Sequence, residues 1–279
     1  MPHVSSLETL GPRNKSEDDS GGGRTGFALL RRAVYDGNMS AETLELSVVV
    51  PVKNEAGNVA PLAAEINAAL AGQFSYEIIF VDDGSSDATA AELHGLVSSD
   101  ANVRAIRHAA SCGQSQATIT GVSEARGVWI ATLDGDGQND PADLPKLLAK
   151  RNELGEAAAR VLFIGRRAKR QDDVMRLLAS KIANGIRGAL LQDHTQDSGC
   201  GIKLIRRDLF LELPRFNALH RFMPALVIRA GGRAVSVPVN HRPRTRGISK
   251  YGILQRGAIG LIDLLGIFWL MRRNTLPRW

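Results

Sequence analysis

The chain has 279 residues, 44% of them apolar and 5% aromatic, with a formal net charge of +6. That length buries a sizeable core and suits one domain with extensions or two small ones, so the protein is globular and not a fibre or low-complexity polymer. The positive balance points to an anionic partner, which composition leaves open among nucleic acid, a phosphorylated small molecule and an acidic membrane surface.

Cys112 and Cys200 are the two cysteines, and neither has a second cysteine or a histidine at metal-ligand spacing. Free, largely buried thiols in a reducing compartment are expected. The N-terminus lacks a basic segment followed by an apolar core, so no secretory signal is expected and the protein should be cytosolic or face the cytosol. Residues 1–44 are rich in Ser, Gly, Asp, Glu and Arg, contain SGGGRTG and read mostly as a disordered tail. FALLRRAV within it has helical spacing, but a tail segment is the plainer reading.

Order begins at LELSVVVPV, a continuous β-branched run expected of a strand buried on both faces. An amphipathic helix follows over NEAGNVAPLAAEINAALAG, then a second buried strand, YEIIFVDDGSSD, ending in acids and small residues. Next come a helix (ATAAELHGLVSS), a short strand (VRAIRHA), a helix over QSQATITGVSEAR and a third buried strand, VWIATLDGDG. This alternation predicts an α/β fold, an open and mostly parallel sheet with helices on both faces. Ligands of such sheets bind beyond the carboxyl ends of the strands, where PVKNE, VDDGSSD and LDGDGQND sit. The second half is less regular. It holds a basic helical region from RRAKRQDD to GALL, the loop DHTQDSGCGIKLIRRD, a strand pair around RAVSVPVNHRP, a loop with RTRGISKYG and an apolar end.

LDGDGQNDP carries the densest chemistry. Side chains at i and i+2 of a strand share a face, so Asp134 and Asp136 can converge on one point past the strand end, and Gln138 is two positions further on. Magnesium is commonly held by one or two carboxylates plus substrate phosphate oxygens and water. The competing reading is an acidic turn that caps the next helix. Asp140 and Pro141 fit that reading as N-cap and first helical residue, whereas Asp134 and Asp136 fit a cation site. In VDDGSSD, Asp83 could accept hydrogen bonds from a ribose or base edge, or Asp83 and Asp87 could be turn and cap residues.

With PVKNE, VDDGSSD and LDGDGQNDP in order on one expected sheet, the chain resembles a family 2 glycosyltransferase of the GT-A fold. Within that family it resembles the branch of dolichyl-phosphate mannosyltransferases and polyprenyl-phosphate glycosyltransferases, across residues 46–271. The resemblance implies nucleotide contacts at Pro51, Asn54, Glu55, Asp83 and Asp134, and a catalytic divalent metal, Mg2+ or Mn2+, at Asp134, Asp136 and Gln138. CGQSQA matches the family's Asn-x-Gly segment with Ser111 or Ala110 in place of Asn, and DSGCGIKL matches its Ser-Gly-Phe-Arg-like loop with Cys200 and Lys203 as the replacements. It further implies acceptor-phosphate contacts at Arg167, Arg176 and Ser180, the last two sharing a helix face, and a loop whose Arg246, Ser249 and Lys250 close over the donor diphosphate.

The implied organisation is a tail (1–44), a GT-A domain (45–245), and the closing loop with a C-terminal apolar helix (246–279). AIGLIDLLGIFWLM is apolar for 14 residues apart from Asp263 and precedes Arg272 and Arg273. A spanning helix needs roughly twenty apolar residues, so an interfacial helix or a core helix is expected. The implied reaction is inverting transfer of a sugar, mannose or a similar hexose, from a nucleotide donor to a polyprenyl monophosphate, on the inner face of the cell membrane. Two alternatives stay open: a polysaccharide or soluble hydroxyl acceptor, for which Asp197 would be the base, and a silent nucleotide-binding scaffold. No basic residues interleave with stacking aromatics, so no nucleic-acid partner is expected, and no Gly-rich turn follows the first strand as a dehydrogenase would require.

Overall fold

Continuous apolar runs become the centre of the sheet. The computed structural model describes residues 33–35, 44–167, 185, 187, 188, 190, 191, 193, 195, 197–240, 242 and 253–273. β1 (Ala33–Tyr35), β2 (Leu46–Val52), β3 (Tyr76–Asp82), β4 (Val103–Arg107), β5 (Trp129–Thr132), β6 (Val161–Arg167), β7 (Lys203–Arg206) and β8 (Arg233–Val239) form one sheet in the order β1-β4-β3-β2-β5-β7-β6-β8. β2 pairs in parallel with β3 and β5, β3 with β4, and β6 with β8, while β1 and β7 run antiparallel to their neighbours. The mostly parallel α/β sheet expected from the sequence is thus present.

Helices α1 (Val59–Leu70), α2 (Thr89–Ser99), α3 (Gln114–Glu124) and α4 (Leu144–Leu154) fall where the first-half pattern places them. α5 (Arg207–Glu212), α6 (Leu219–Arg229) and α7 (Ile253–Arg272) belong to the second half. Alternate residues of each central strand feed two cores. Val48, Val50, Ile78 and Phe80 face one that includes Leu62 and Leu147, while Val49, Ile79 and Val81 face the other with Ile119, Phe222 and Leu226. Burial on both faces explains why these strands read as unbroken apolar runs.

The sheet's amino end carries a buried polar network. Glu77, fully buried, accepts from Ser47 Oγ (2.6 Å), Arg104 Nη1 (2.7 Å) and Arg126 N (2.6 Å), so its charge is paired and hydrogen-bonded.

Four differences from the sequence reading stand out. Ala33–Tyr35, inside the stretch read as tail, adds an edge strand to β4 by backbone pairing, and three residues are too few to leave a periodic signal. VLFIGRR and KLIR are strands β6 and β7, KLIR lying in what read as a loop. RAVSVPV is one strand paired with β6 and not half of a hairpin. Finally, LHRFMPALVIR is helix α6, with Pro224 inside it. Arg176, Ser180, Arg246, Ser249 and Lys250, assigned to the acceptor helix and closing loop, lie outside the described residues.

Candidate active site

β5 ends at Thr132, and the chain then turns through Gly135 and Asp136, with Gly137 at φ 72°. Asp134 and Asp136 are therefore brought together by a turn and not by the strand pleat assumed from their spacing. Asn139, 4% exposed, closes the turn by accepting from Asp134 N (3.0 Å), and Asp136 Oδ1 accepts from Gln138 N (3.1 Å). The next segment behaves as expected: Asp140 accepts from Ala142 N (3.0 Å) and Pro141 opens the following 3-10 turn.

Asp134 borders two cavities. The outer cleft, about 270 Å³, is also lined by Pro51, Glu55, Asp83, Gly113 and Asp136. The inner cavity, about 210 Å³, is also lined by Gln114, Ser198, Lys203, His220 and Arg221. Pro51, Glu55, Asp83, Asp134 and Asp136 thus meet in one cleft beyond the carboxyl ends of β2, β3 and β5. Asn54 and Gln138 do not line it. Asn54 sits at φ 52° and accepts from Ser86 N (2.8 Å), and Glu55 Oε2 accepts from Asn58 Nδ2 (2.8 Å), so this turn grips the β3–α2 loop and the start of α1.

Asp83 is the most heavily bonded carboxylate in the cleft. Oδ1 accepts from His108 Nδ1 (2.8 Å) and Cys112 N (2.7 Å), and Oδ2 accepts from Ser111 Oγ (2.7 Å) and Gly113 N (2.8 Å). Burial alone would raise its pKa, but these bonds outweigh burial and hold it well below the usual carboxylate range. Ser111, where the family has Asn, therefore keeps a polar role. Gly84, at φ 68°, lets the 110–111 backbone come close, since a β-carbon there would lie 2.9 Å from Ala110 C and Ser111 N.

β7 supplies what the sequence reading underweighted. Its antiparallel pairing sets Lys203 opposite Thr132, one strand end away from Asp134, and Thr132 Oγ1 donates to Gly201 O (2.7 Å). Lys203, 4% exposed, donates to the Cys200 carbonyl, and burial holds its pKa down against the pull of Asp134. In the same loop, burial pushes the Cys200 thiol up to about 11, which makes it an inert packing group. Arg167, at the end of β6, holds Asp197 by Nε to Oδ2 and Nη2 to Oδ1, both 2.7 Å. His220 on α6 pairs its Nδ1 with Ser115 Oγ (2.7 Å), and burial with the charges of Lys203 and Arg221 depresses its pKa to about 3. His220, Arg221 and Gln114, which donates to Asp134 Oδ1 (2.8 Å), left no signal in the sequence because α6 and α3 reach the site only through tertiary packing.

The acidic pair has the electrostatics of a cation site. Burial and then the Asp136 charge raise the pKa of Asp134, and Lys203, Gln114 and Arg167 do not offset them. Two carboxylates lining one cleft, the charge of one raising the pKa of the other, fit a hard divalent cation.

Residues 47–213 match the family model described as Glycosyl transferase family 2. The chain belongs to that family. It is 35% identical over 247 residues to the dodecaprenyl-phosphate galacturonate synthase of Rhizobium johnstonii, covering 86% of this chain and 71% of the relative. It is 34% identical over 214 residues to the undecaprenyl-phosphate 4-deoxy-4-formamido-L-arabinose transferase of Klebsiella pneumoniae, covering 76% of this chain and 64% of the relative, under two thirds of that protein's length. Both the family and the polyprenyl-phosphate branch expected from the motifs are borne out. Mannosyl-3-phosphoglycerate synthase from Rubrobacter xylanophilus superposes with a TM-score of 0.62 at 18% identity, covering 84% of this chain and 77% of that one. A mannosyltransferase from Pyrobaculum calidifontis, solved with GDP-Man and Mn2+, gives 0.59 at 16%, covering 85% and 66%. At these identities the likeness establishes the GT-A fold.

Proposed function

We propose that this family 2 glycosyltransferase moves a sugar from a nucleotide-diphospho-sugar to a polyprenyl monophosphate, with inversion at the anomeric carbon, for cell-envelope glycan synthesis. The observation that carries the reading is the position of Asp134 on the wall between two cavities, one for the nucleotide and one for the group being transferred. The two relatives agree by name on a polyprenyl phosphate and differ in the sugar, one carrying galacturonate and the other formamido-arabinose.

In this reading the outer cleft takes the nucleotide. Pro51, Glu55 and the wall held by Asp83 form its sides, and Asp83 acts by fixing the 108–113 loop, since both its oxygens are already engaged. Asp134 and Asp136 hold Mg2+ or Mn2+, which when bound neutralises charge on the departing nucleotide diphosphate. Gln138 supports Asp136 through its backbone N–H. A phosphate acceptor is ionised at neutral pH, so the protein needs to position it and not to deprotonate it. Arg167, fixed by Asp197, takes that role, joined by Arg176 and Ser180. By the family resemblance, Arg246, Ser249 and Lys250 would act on the donor diphosphate. The hydroxyl-acceptor alternative needs Asp197 as a base, a role poorly served by a carboxylate already gripped at both oxygens.

The acceptor is a lipid, and α7 is built to meet a lipid surface. Leu264 and Ile267 pack into the core, whereas Leu261, Ile262, Leu265 and Trp269 are 57%, 71%, 55% and 59% exposed. Arg272 lies 4.3 Å above the Phe268 ring and Arg273 5.6 Å above Trp269. Among the described residues no helix is long and apolar enough to cross a membrane. An in-plane helix with its aromatics and arginines at headgroup depth on the cytoplasmic face fits this pattern.

Incubating the protein with Mg2+, undecaprenyl phosphate and labelled UDP- and GDP-sugars tests the reaction. Label should pass into the organic phase with one donor and be lost on chelation. Donor binding with no organic label under any condition would overturn the reading.

A further inference from the structure

The inner cavity is charged in a way that transfer of a neutral sugar does not explain. Among the described residues one carboxylate borders it, Asp134, which it shares with the outer cleft, and two cations border it alone, Lys203 and Arg221. They come from separate elements, β7 and α6. Lys203 is 4% exposed, and among the described residues its ammonium makes one hydrogen bond, to the Cys200 carbonyl, out of three donors it can offer. Arg221, an exposed side chain at the cavity rim, makes no side-chain hydrogen bond or ion pair to another described residue. His220, between them, is tied to Ser115 and held neutral, so it adds no charge of its own.

Burying an ammonium with unmet donors is costly unless a partner completes it. A neutral hexose offers hydroxyl oxygens that accept hydrogen bonds but brings no charge of its own, leaving Asp134, shared with the outer cleft, as the carboxylate on this cavity that acts on Lys203. A carboxylate supplies both the acceptors and the opposite charge. Resting on the sugar-transfer reading of this site, we infer that the inner cavity takes the donor's sugar and that this sugar is a uronic acid, its carboxylate held by Lys203 and Arg221. The other anion that could reach these cations is the acceptor phosphate, and the test separates the two.

Donor binding is measured by calorimetry with Mg2+ and no acceptor, on matched pairs: UDP-glucuronate against UDP-glucose, UDP-galacturonate against UDP-galactose, GDP-mannuronate against GDP-mannose. In one pair the acidic donor should bind about tenfold or more tightly, the scale of one charge-assisted contact. Lys203→Met and, on the exposed helix surface, Arg221→Gln should each shrink that preference while leaving binding of the free nucleoside diphosphate unchanged. Equal binding of acidic and neutral donors in every pair would overturn the inference. So would variants that keep the preference and instead raise the KM for undecaprenyl phosphate, because the cations would then serve the acceptor. Intact acidic preference with no lipid product would leave this inference standing and remove the proposed reaction.

Discussion

Arg167 and Asp197 meet through two parallel hydrogen bonds of 2.7 Å, with the Arg167 backbone N–H adding a third at 3.3 Å to the same carboxylate. The pair is largely buried, at 17% and 9% side-chain exposure, so it fixes the plane of the guanidinium. Asp197→Asn keeps the shape and removes the charge. Steady-state kinetics should show a KM for polyprenyl phosphate raised about tenfold with a smaller change in kcat, and stability lower by about 1–3 kcal/mol. A kcat loss of roughly a hundredfold or more with the acceptor KM unchanged would instead mark Asp197 as a general base.

Asp136→Ala removes one of the two carboxylates assigned to the metal. Turnover should fall on the order of a thousandfold, because several kcal/mol of leaving-group stabilisation go with it. The Asp136 charge raises the pKa of Asp134 in the folded protein, so deleting it relieves a repulsion. Thermal melting without metal should therefore show a variant no less stable than the parent. Normal turnover would remove the acidic pair from the mechanism.

Gly201 allows the β7 loop to pack directly on the acidic turn. A β-carbon there would overlap Asp134 Oδ2 and Asn139 Oδ1, whereas one at Gly199 would meet only Arg167 Nη2, at 3.9 Å. Gly201→Ala should cost about 1–3 kcal/mol and shift Asp134 enough to lower kcat roughly a hundredfold. Gly199→Ala is the control and should change neither by much. Equal behaviour of the two variants would show that the loop yields at no cost to the site.

His220 and Asp83 give the fold a pH dependence of one sign. The folded pKa of His220, about 3, lies below its ordinary 6.5, so the unfolded chain binds the extra proton between those values and stability falls with acidification through that window. Asp83 is also depressed, and the stability it supplies is present above the ordinary carboxylate pKa of 3.8 and lost as pH falls below it. Melting temperature should decline from pH 7 toward pH 4, and His220→Gln should flatten that decline. A slope unchanged in the variant would show that other groups set it.

The exposed face of α7 makes its own prediction. Replacing Ile262, Leu265 and Trp269 together by Ser should weaken co-sedimentation with anionic vesicles by at least about tenfold, since each buried apolar side chain contributes on the order of 1.5–3 kcal/mol. Binding should also weaken with added salt because Arg272 and Arg273 face the lipid. Unchanged sedimentation would assign that face to something other than a membrane.

The first half of the fold was legible because every strand there is buried on both faces and every helix is amphipathic, so periodicity and burial agree from Leu46 to Thr132. β6 and β7 were not, since VLFIG is too short to separate strand from helix by pattern and KLIR gains its strand character only from pairing with β5 and β6. The site divides the same way. Pro51, Glu55, Asp83, Asp134 and Asp136 sit at or just past the ends of β2, β3 and β5 and could be read in order. His220 and Arg221 enter from a helix that starts 85 residues after Asp134, and Lys203 from an antiparallel strand, so only tertiary structure brings them to Asp134.

The most direct test of the central claim compares an acceptor that carries a phosphate with acceptors that lack one. With one active donor and Mg2+, the protein is offered undecaprenyl phosphate, undecaprenol and a soluble neutral glycan, and the labelled product is counted. Label on undecaprenyl phosphate alone is the expected result, because an anion needs placing and not deprotonating, and Asp197, the candidate base for a hydroxyl, is held at both oxygens by Arg167. Equal or greater label on undecaprenol or the glycan would contradict it.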